Sequence, residues 1–217
     1  VMCKILEEEQ VSTVFGYPGG AVIDIYDELV KTDLQHILAR HEQDAVHAAD
    51  AYARASGTVG VCLVTSGPGA TNTVSGIASA YLDSVPLVVL CGQVPTSLIG
   101  NDAFQEVDIT GITRPCTKHN YLIKDVKDVA RILKEAFYIA RSGRPGPVLV
   151  DLPKDVMQTK TSYRPITRLK LPSYKPTYEP SCKQLPKVIN LIRKAKRPLI
   201  FSGGGVVLAK GSQELRD

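Results

Sequence analysis

The stretch RHEQDAVHAADAYARASG (residues 40–57) hands a strand over to a helix. Just before it, LQHILA (residues 34–39) reads as a short buried strand. Within it, Ala45, Ala48, Ala49, Tyr52 and Ala53 recur at helical spacing, and Gly57 can close the helix in a left-handed cap. Glu42 therefore stands in the first turn of a helix, at the carboxyl edge of a parallel sheet, where open α/β sheets bind ligands. Taken alone, a first-turn acid is ordinarily a solvated residue favoured by the helix dipole. The choice between these readings rests on what the rest of the chain brings to the same edge.

Working outward, apolar runs alternate with helical patterns. Residues 13–15 form a strand that ends in the turn GYPGG (residues 16–20), and Val22, Ile25, Tyr26 and Leu29 share one face of the next helix. Residues 59–65 form a strand that ends in SGPGATN (residues 66–72), which opens a helix running to about residue 82. Residues 86–91 and 147–152 are continuous apolar strands, the pattern of a parallel sheet covered on both faces. Between them lie a long polar loop (residues 92–108), a short helix near 108–113, a strand near 118–123, and a helix capped by Asp125 with Val126, Val129, Ala130, Leu133, Ala136 and Phe137 inward. A loop of that length inside a compact domain is usually functional. The alternation predicts an α/β fold: a doubly wound, mainly parallel sheet with helices on both faces.

The texture changes after residue 162. Five prolines fall between residues 163 and 186, and no periodicity survives them. Residues 1–162 are expected to form one domain, 163–182 an extended proline-rich linker, and 183–217 the start of a second α/β domain. That second domain opens with an amphipathic helix (185–195) and a strand (198–202) that leads into SGGGV. The chain opens on a valine already in helical pattern and closes soon after a new helix begins, so it is expected to be a piece of a longer protein.

Composition narrows the function classes. The formal charge is only +4, and the one basic cluster (Arg193, Lys194, Lys196, Arg197) lacks interleaved aromatics, so it reads as a solvated helix end and not a nucleic-acid surface. The five cysteines form no C-x-x-C pair, and Cys62 and Cys91 sit in apolar runs as small buried hydrophobes. A reducing, cytoplasmic compartment follows, with no membrane span, no secretory signal and no metal-ligand spacing among the four histidines.

Three glycine-rich turns follow strands: GYPGG, SGPGATN and SGGGV. Such turns expose backbone N–H groups that can hold a phosphate. None matches the P-loop or the dinucleotide fingerprint, and Pro68 removes a donor from the second. Singly, each reads as a structural tight turn. The first two, however, fall at the same sheet edge as Glu42, where Asn72, Phe104 and Gln105 would join them. This crevice offers a lone carboxylate and neither a nucleophile with its base nor a metal cluster, an arrangement suited to exchanging a proton with a ring nitrogen of a heteroaromatic cofactor.

In this order and spacing, RHEQDAVHAADAYARASG, TSGPGATN, DSVPLVVLCGQVP, IGNDAFQEVD, TKHNYL and SGRPGPVLVDLPKDV resemble the large catalytic subunits of the acetolactate synthases, which are thiamine-diphosphate enzymes. The resemblance runs from about residue 14 to residue 156, and SGGGV continues it. It implies that the chain is the N-terminal part of an enzyme that decarboxylates pyruvate and joins the two-carbon unit to a second 2-ketoacid. Glu42 would be the catalytic glutamate, hydrogen-bonded to N1′ of the aminopyrimidine. Tyr17, Gly20, Pro68, Asn72 and Gln105 would be further thiamine-diphosphate contacts, Phe104 and Lys154 would line the substrate pocket, and Ser84, Arg144 and Gly204 would touch FAD. The family's diphosphate and Mg2+ motif, a GDG followed further on by NN, is absent from these residues, so the metal has no ligand here and the chain holds half a site. The implied partners are a second copy of the chain, facing Glu42, and a small regulatory subunit. The alternatives carried are another thiamine-diphosphate decarboxylase, oxidase or carboligase, and a non-catalytic nucleotide-binding module. A complete phosphate fingerprint would mark the last.

Overall fold

A computed structural model describes residues 1–217, which divide into two compact units, Val1–Pro176 and Thr177–Asp217. The first unit is built on β1 (Thr13–Tyr17), β2 (Gln35–Leu38), β3 (Gly60–Val64), β4 (Leu87–Gln93), β5 (His119–Leu122) and β6 (Pro147–Pro153). Its helices are α1 (Met2–Glu8), α2 (Ile23–Leu29), α3 (Glu42–Ser56), α4 (Pro68–Thr71), α5 (Val74–Asp83), α6 (Ile109–Thr113), α7 (Val129–Arg141) and α8 (Lys154–Gln158). The strands form one sheet in the order β2-β1-β3-β4-β6-β5, and every neighbouring pair is parallel. This is the doubly wound α/β fold read from the alternating pattern.

Two apolar layers sandwich the sheet. One joins Ile5, Ile25, Leu29, Leu133 and Phe137 of α1, α2 and α7 to Val61, Leu63, Val88, Leu90 and Val150. The other joins Ala45, Ala49 and Ala53 of α3, Ile77 and Ala80 of α5 and Ile109 of α6 to Cys62, Val64, Val89, Cys91 and Leu149. Alternate strand residues thus face opposite layers, as the pleat requires. Close approach on the second layer depends on two glycines. A Cβ at Gly60 would lie 2.2 Å from the Ala49 carbonyl oxygen, so α3 rests directly on β3. A Cβ at Gly76 would lie 2.3 Å from Val46 Cγ1, so α5 sits tightly on α3.

The structure corrects three local expectations. The strand around residue 37 is not buried: β2 is an edge strand, and Leu38 is 57% exposed. Ile37 is 38% exposed as well, and only β1 pairs with the strand. The helix expected over residues 70–82 is two helices, α4 and α5, broken at Asn72 and Thr73. There the Thr71 and Thr73 hydroxyls donate to the Pro68 and Ala70 carbonyls three residues back, bonds that compete with a continuous helix. No strand forms at residues 198–202, because no segment of this chain pairs with them and a strand exists only through its ladder.

Residues 163–176 belong to the first unit: Tyr163, Leu171 and Tyr174 pack against its first apolar layer. Lys118 reinforces this, its Nζ donating to the carbonyls of Ile139 and Ser142 and to Tyr174 Oη. The second unit contains α9 (Leu185–Lys194), α10 (Gly204–Leu208) and α11 (Ser212–Arg216), and none of these helices buries a residue.

Candidate active site

The winding sense of the sheet reverses between β1 and β3. From β1 the chain steps outward to β2, then α3 carries it back across β1 to β3, and the later strands add on the other side. Ligand sites of open α/β sheets lie at such a switch point, beyond the carboxyl ends of the strands. Glu42 is the first residue of α3 and lies there, only 7% exposed. His41 caps the helix, its Nδ1 accepting from the Gln43 amide at 3.1 Å, which frees the Glu42 carboxylate for other partners.

One such partner is Asn72. Its Nδ2 donates to Glu42 Oε2 at 2.9 Å. The break between α4 and α5 is what places Asn72 beside α3 when Pro68 has only just started the preceding helix. The other carboxylate oxygen, Oε1, faces Gly69: a Cβ on that glycine would come within 3.1 Å of it. The same Cβ would also lie 2.7 Å from Thr65 Cγ2, so only a glycine fits between the carboxylate and Thr65. Buried Cys62 lies beneath, its thiol raised by desolvation and then by the Glu42 charge.

The two glycine turns support each other. Thr65 Oγ1 accepts from the Ala21 amide at 3.3 Å, and Gly19 has no room for a Cβ because Thr65 fills it at 2.5 Å. Tyr17, at the end of β1, is 38% exposed, and Gly20 has open space where a side chain would stand. The loop after β4 reaches the second turn as well. A Cβ at Gly67 would lie 2.5 Å from the Gln105 carbonyl oxygen, so the backbones of SGPG and of the Gln105 loop are in contact. Phe104 beside it is 87% exposed. Lys154 starts α8 at the end of β6, on this same edge.

The carboxyl edge therefore carries Tyr17, Gly20, Glu42, Pro68, Asn72, Phe104, Gln105 and Lys154. Ser84 and Arg144 do not join them. They precede β4 and β6, at the amino edge, where Arg144 Nε donates to Ser84 Oγ at 2.7 Å and Nη2 to the Leu82 carbonyl at 3.2 Å. A seven-residue strand separates the two edges by roughly 20 Å. Gly204, in the second unit, opens α10 with nothing close to where a Cβ would stand.

Sequence reasoning missed the polar pair Gln93–Asp151 at the ends of β4 and β6. Gln93 Nε2 donates to Asp151 Oδ2 at 3.0 Å and to the Val107 carbonyl at 2.9 Å, anchoring the far end of the Gln105 loop to the sheet. Asp151 is 2% exposed, its Oδ1 has no protein partner, and burial pushes its carboxyl up to about 7, against the Gln93 bond and with help from the nearby Asp108 charge. The available signal was a lone acid closing the apolar run PVLV. No group of three or more His, Cys, Asp or Glu side chains converges as a metal site.

Fold and site together define an α/β domain with a nearly buried carboxylate at the switch point of its parallel sheet. Residues 1–112 match the family "Thiamine pyrophosphate enzyme, N-terminal TPP binding domain", and this chain belongs to that family. It is 54% identical over 217 residues to the probable acetolactate synthase large subunit of Methanococcus aeolicus, covering 99% of this chain and 36% of the relative. It is 51% identical over 220 residues to the acetolactate synthase isozyme 3 large subunit of Escherichia coli, covering 100% of this chain and 38% of the relative. To the acetolactate synthase large subunit of Buchnera aphidicola (Schizaphis graminum) it is 50% identical over 219 residues, with the same coverage of 100% and 38%. The chain thus spans little more than a third of these relatives' length.

Proposed function

We propose that this chain is the pyrimidine-binding, N-terminal part of an acetolactate synthase large subunit, which decarboxylates pyruvate and adds the two-carbon unit to a second 2-ketoacid in branched-chain amino-acid synthesis. The observation that carries this reading is the nearly buried Glu42 carboxylate at the switch point of the sheet, one oxygen bonded to Asn72 and the other lying against Gly69 of the SGPG turn. The similarity to large subunits over the whole chain supports it.

Thiamine diphosphate, when bound, supplies a nucleophilic carbon and an electron sink for decarboxylation. The chain's part is to hold and polarise the cofactor. Glu42 Oε1 would receive the hydrogen bond of a protonated ring nitrogen, while Asn72 keeps Oε2 turned away from it. Pro68 and Gly69 offer a flat wall beside the ring, with Tyr17 and Gly20 on the other glycine turn. Gln105 and Phe104 would meet the reacting end of the cofactor and the ketoacid, with Lys154 on the approach. We assign FAD contacts to Ser84 and Arg144 in the first unit and to Gly204 in the second. The Arg144 guanidinium, fixed by Ser84 and Leu82, suits an anionic cofactor. The diphosphate and its Mg2+ are assigned to a further domain of a second copy facing Glu42.

The partners in this reading are that second copy and a smaller regulatory subunit, the latter because the relatives are named large subunits. The compartment is the cytoplasm. No helix is long and apolar enough to cross a membrane.

The decisive experiment is Glu42→Gln in the full-length protein, assayed for acetolactate formation from pyruvate. An amide cannot take and return the proton, and positioned acid–base groups contribute about 100- to 10,000-fold. A loss of that size with an unchanged melting temperature is the expected result. Activity within about threefold of wild type, well below that range, would remove Glu42 from the mechanism.

A further inference from the structure

The loop after β4 is not an open strap. Three carboxylates, each accepting backbone N–H groups, wind it into a fixed shape. At its start the Thr96 amide donates to Asp155 Oδ1 at 3.0 Å, and the Thr96 hydroxyl donates to Oδ2. At its end Asp108 Oδ1 accepts from the Gly111 amide at 2.9 Å and starts α6. In the middle Glu106 turns back on its own loop. One of its carboxylate oxygens accepts from the Gly100 amide and the other from the Ala103 amide at 2.9 Å, while the Glu106 amide donates to the Ala103 carbonyl at 3.0 Å.

This closed knot encloses two residues in a conformation that side chains rarely adopt. Asp102 has φ 53° and Gln105 has φ 57°. Non-glycine residues persist there only when the surroundings over-determine them. The knot and the contact with Gly67 supply that constraint for Gln105, whose carbonyl sits where a Gly67 side chain would stand. The Gly100 and Ala103 amides also hold the Glu106 carboxyl below the ordinary carboxylate range, so the acceptor stays ionised at neutral pH.

We propose that Glu106 is a positioning residue: by binding the Gly100 and Ala103 amides it fixes Phe104 and Gln105 over the SGPG turn and so shapes the roof of the Glu42 crevice. For its effect on turnover this rests on the function proposed above; its effect on the loop does not.

The test compares Glu106→Ala, Glu106→Gln and Glu42→Gln in the full-length protein. Hydrogen exchange is read over residues 98–106, with residues 87–93 of β4 as the internal reference. The expected result is exchange at least about tenfold faster in the loop of Glu106→Ala and unchanged in β4, since charge-assisted hydrogen bonds of this kind are the strong ones. Glu106→Gln, which keeps one neutral acceptor, should fall between. In turnover, Glu106→Ala should lose about tenfold or more in kcat/KM for the ketoacid, partly restored in Glu106→Gln. Unchanged loop exchange in Glu106→Ala would overturn the proposal whatever the kinetics. Faster exchange with unchanged kcat/KM, in a background where Glu42→Gln is inactive, would overturn the link from Glu106 to the crevice and leave the site reading standing. If Glu42→Gln is also fully active, the site reading itself falls, and the exchange result alone decides the role of Glu106 in the loop.

Discussion

Asn72 Nδ2 donates to Glu42 Oε2 at 2.9 Å across thirty positions of sequence, and this bond joins the helix after β2 to the turn after β3 at the switch point of the sheet. It gives the candidate site its orientation. Oε2 is committed to the Asn72 amide, and Oε1 lies against Gly69.

Removing that donor should therefore be felt twice. Asn72→Ala leaves a nearly buried carboxylate oxygen without its amide, which costs about 1–3 kcal/mol, measurable by urea denaturation. In the full-length protein it should also lower turnover, because Glu42 loses its fixed orientation. A double-mutant cycle with Glu42→Gln should show coupling of at least about 0.5 kcal/mol. Strict additivity in stability and in turnover would mean that the bond does no positioning.

Asp151 makes stability depend on pH in an unusual direction. Its ordinary value of 3.8 applies to the unfolded chain, whereas burial keeps the folded carboxyl protonated up to about 7. Between those values the folded state holds the extra proton, so stability falls as pH rises, by at most roughly 1.4 kcal/mol per pH unit, and levels off above the folded value. The Asp108 charge acts on Asp151 in the same direction as burial, and the Asp151 charge in turn raises the neighbouring Cys91 thiol. Asp151→Asn removes this proton from the balance and keeps an acceptor for Gln93. The variant should gain stability relative to wild type at pH 8 compared with pH 5. An equal difference at both pH values in urea titrations would show that Asp151 is ionised in the folded protein.

The second copy placed opposite Glu42 has a natural seat on α5. The helix buries Gly76, Ile77 and Ala80, while Tyr81 and Leu82 are 36% and 73% exposed and Ala78 is half-buried. Tyr81 and Leu82 lie toward the amino edge, whereas Phe104, 87% exposed, adds apolar surface at the carboxyl edge that carries Glu42. We expect a two-fold dimer that buries at least about 1,000 Å² in total with α5 at its centre. Ala78→Glu should shift sedimentation at micromolar concentration toward monomer without changing the far-ultraviolet spectrum. A dimer indifferent to that charge would place the interface elsewhere.

Much of this was legible in the residues alone, for reasons of short range. Apolar runs of five to seven residues between glycine and proline turns specify buried strands, and β3, β4 and β6 lie where VCLV, LVVL and PVLV stand. The alanine stripe of α3, its left-handed Gly57 end and the placing of Glu42 at its first turn are equally local properties. What the sequence left open depends on partners far along the chain. LQHILA is apolar enough for a core strand, but the order β2-β1-β3-β4-β6-β5 leaves it at an edge with one neighbour. Residues 198–202 are no less apolar, and without a ladder they form no strand. Only the folded chain breaks the helix at Asn72 and turns that side chain onto Glu42, and only there does Glu106 close on the Gly100 and Ala103 amides. Local propensity chooses an element from its own residues, whereas register, edge position and the aim of a polar side chain are set by hydrogen-bond partners that the sequence does not place side by side.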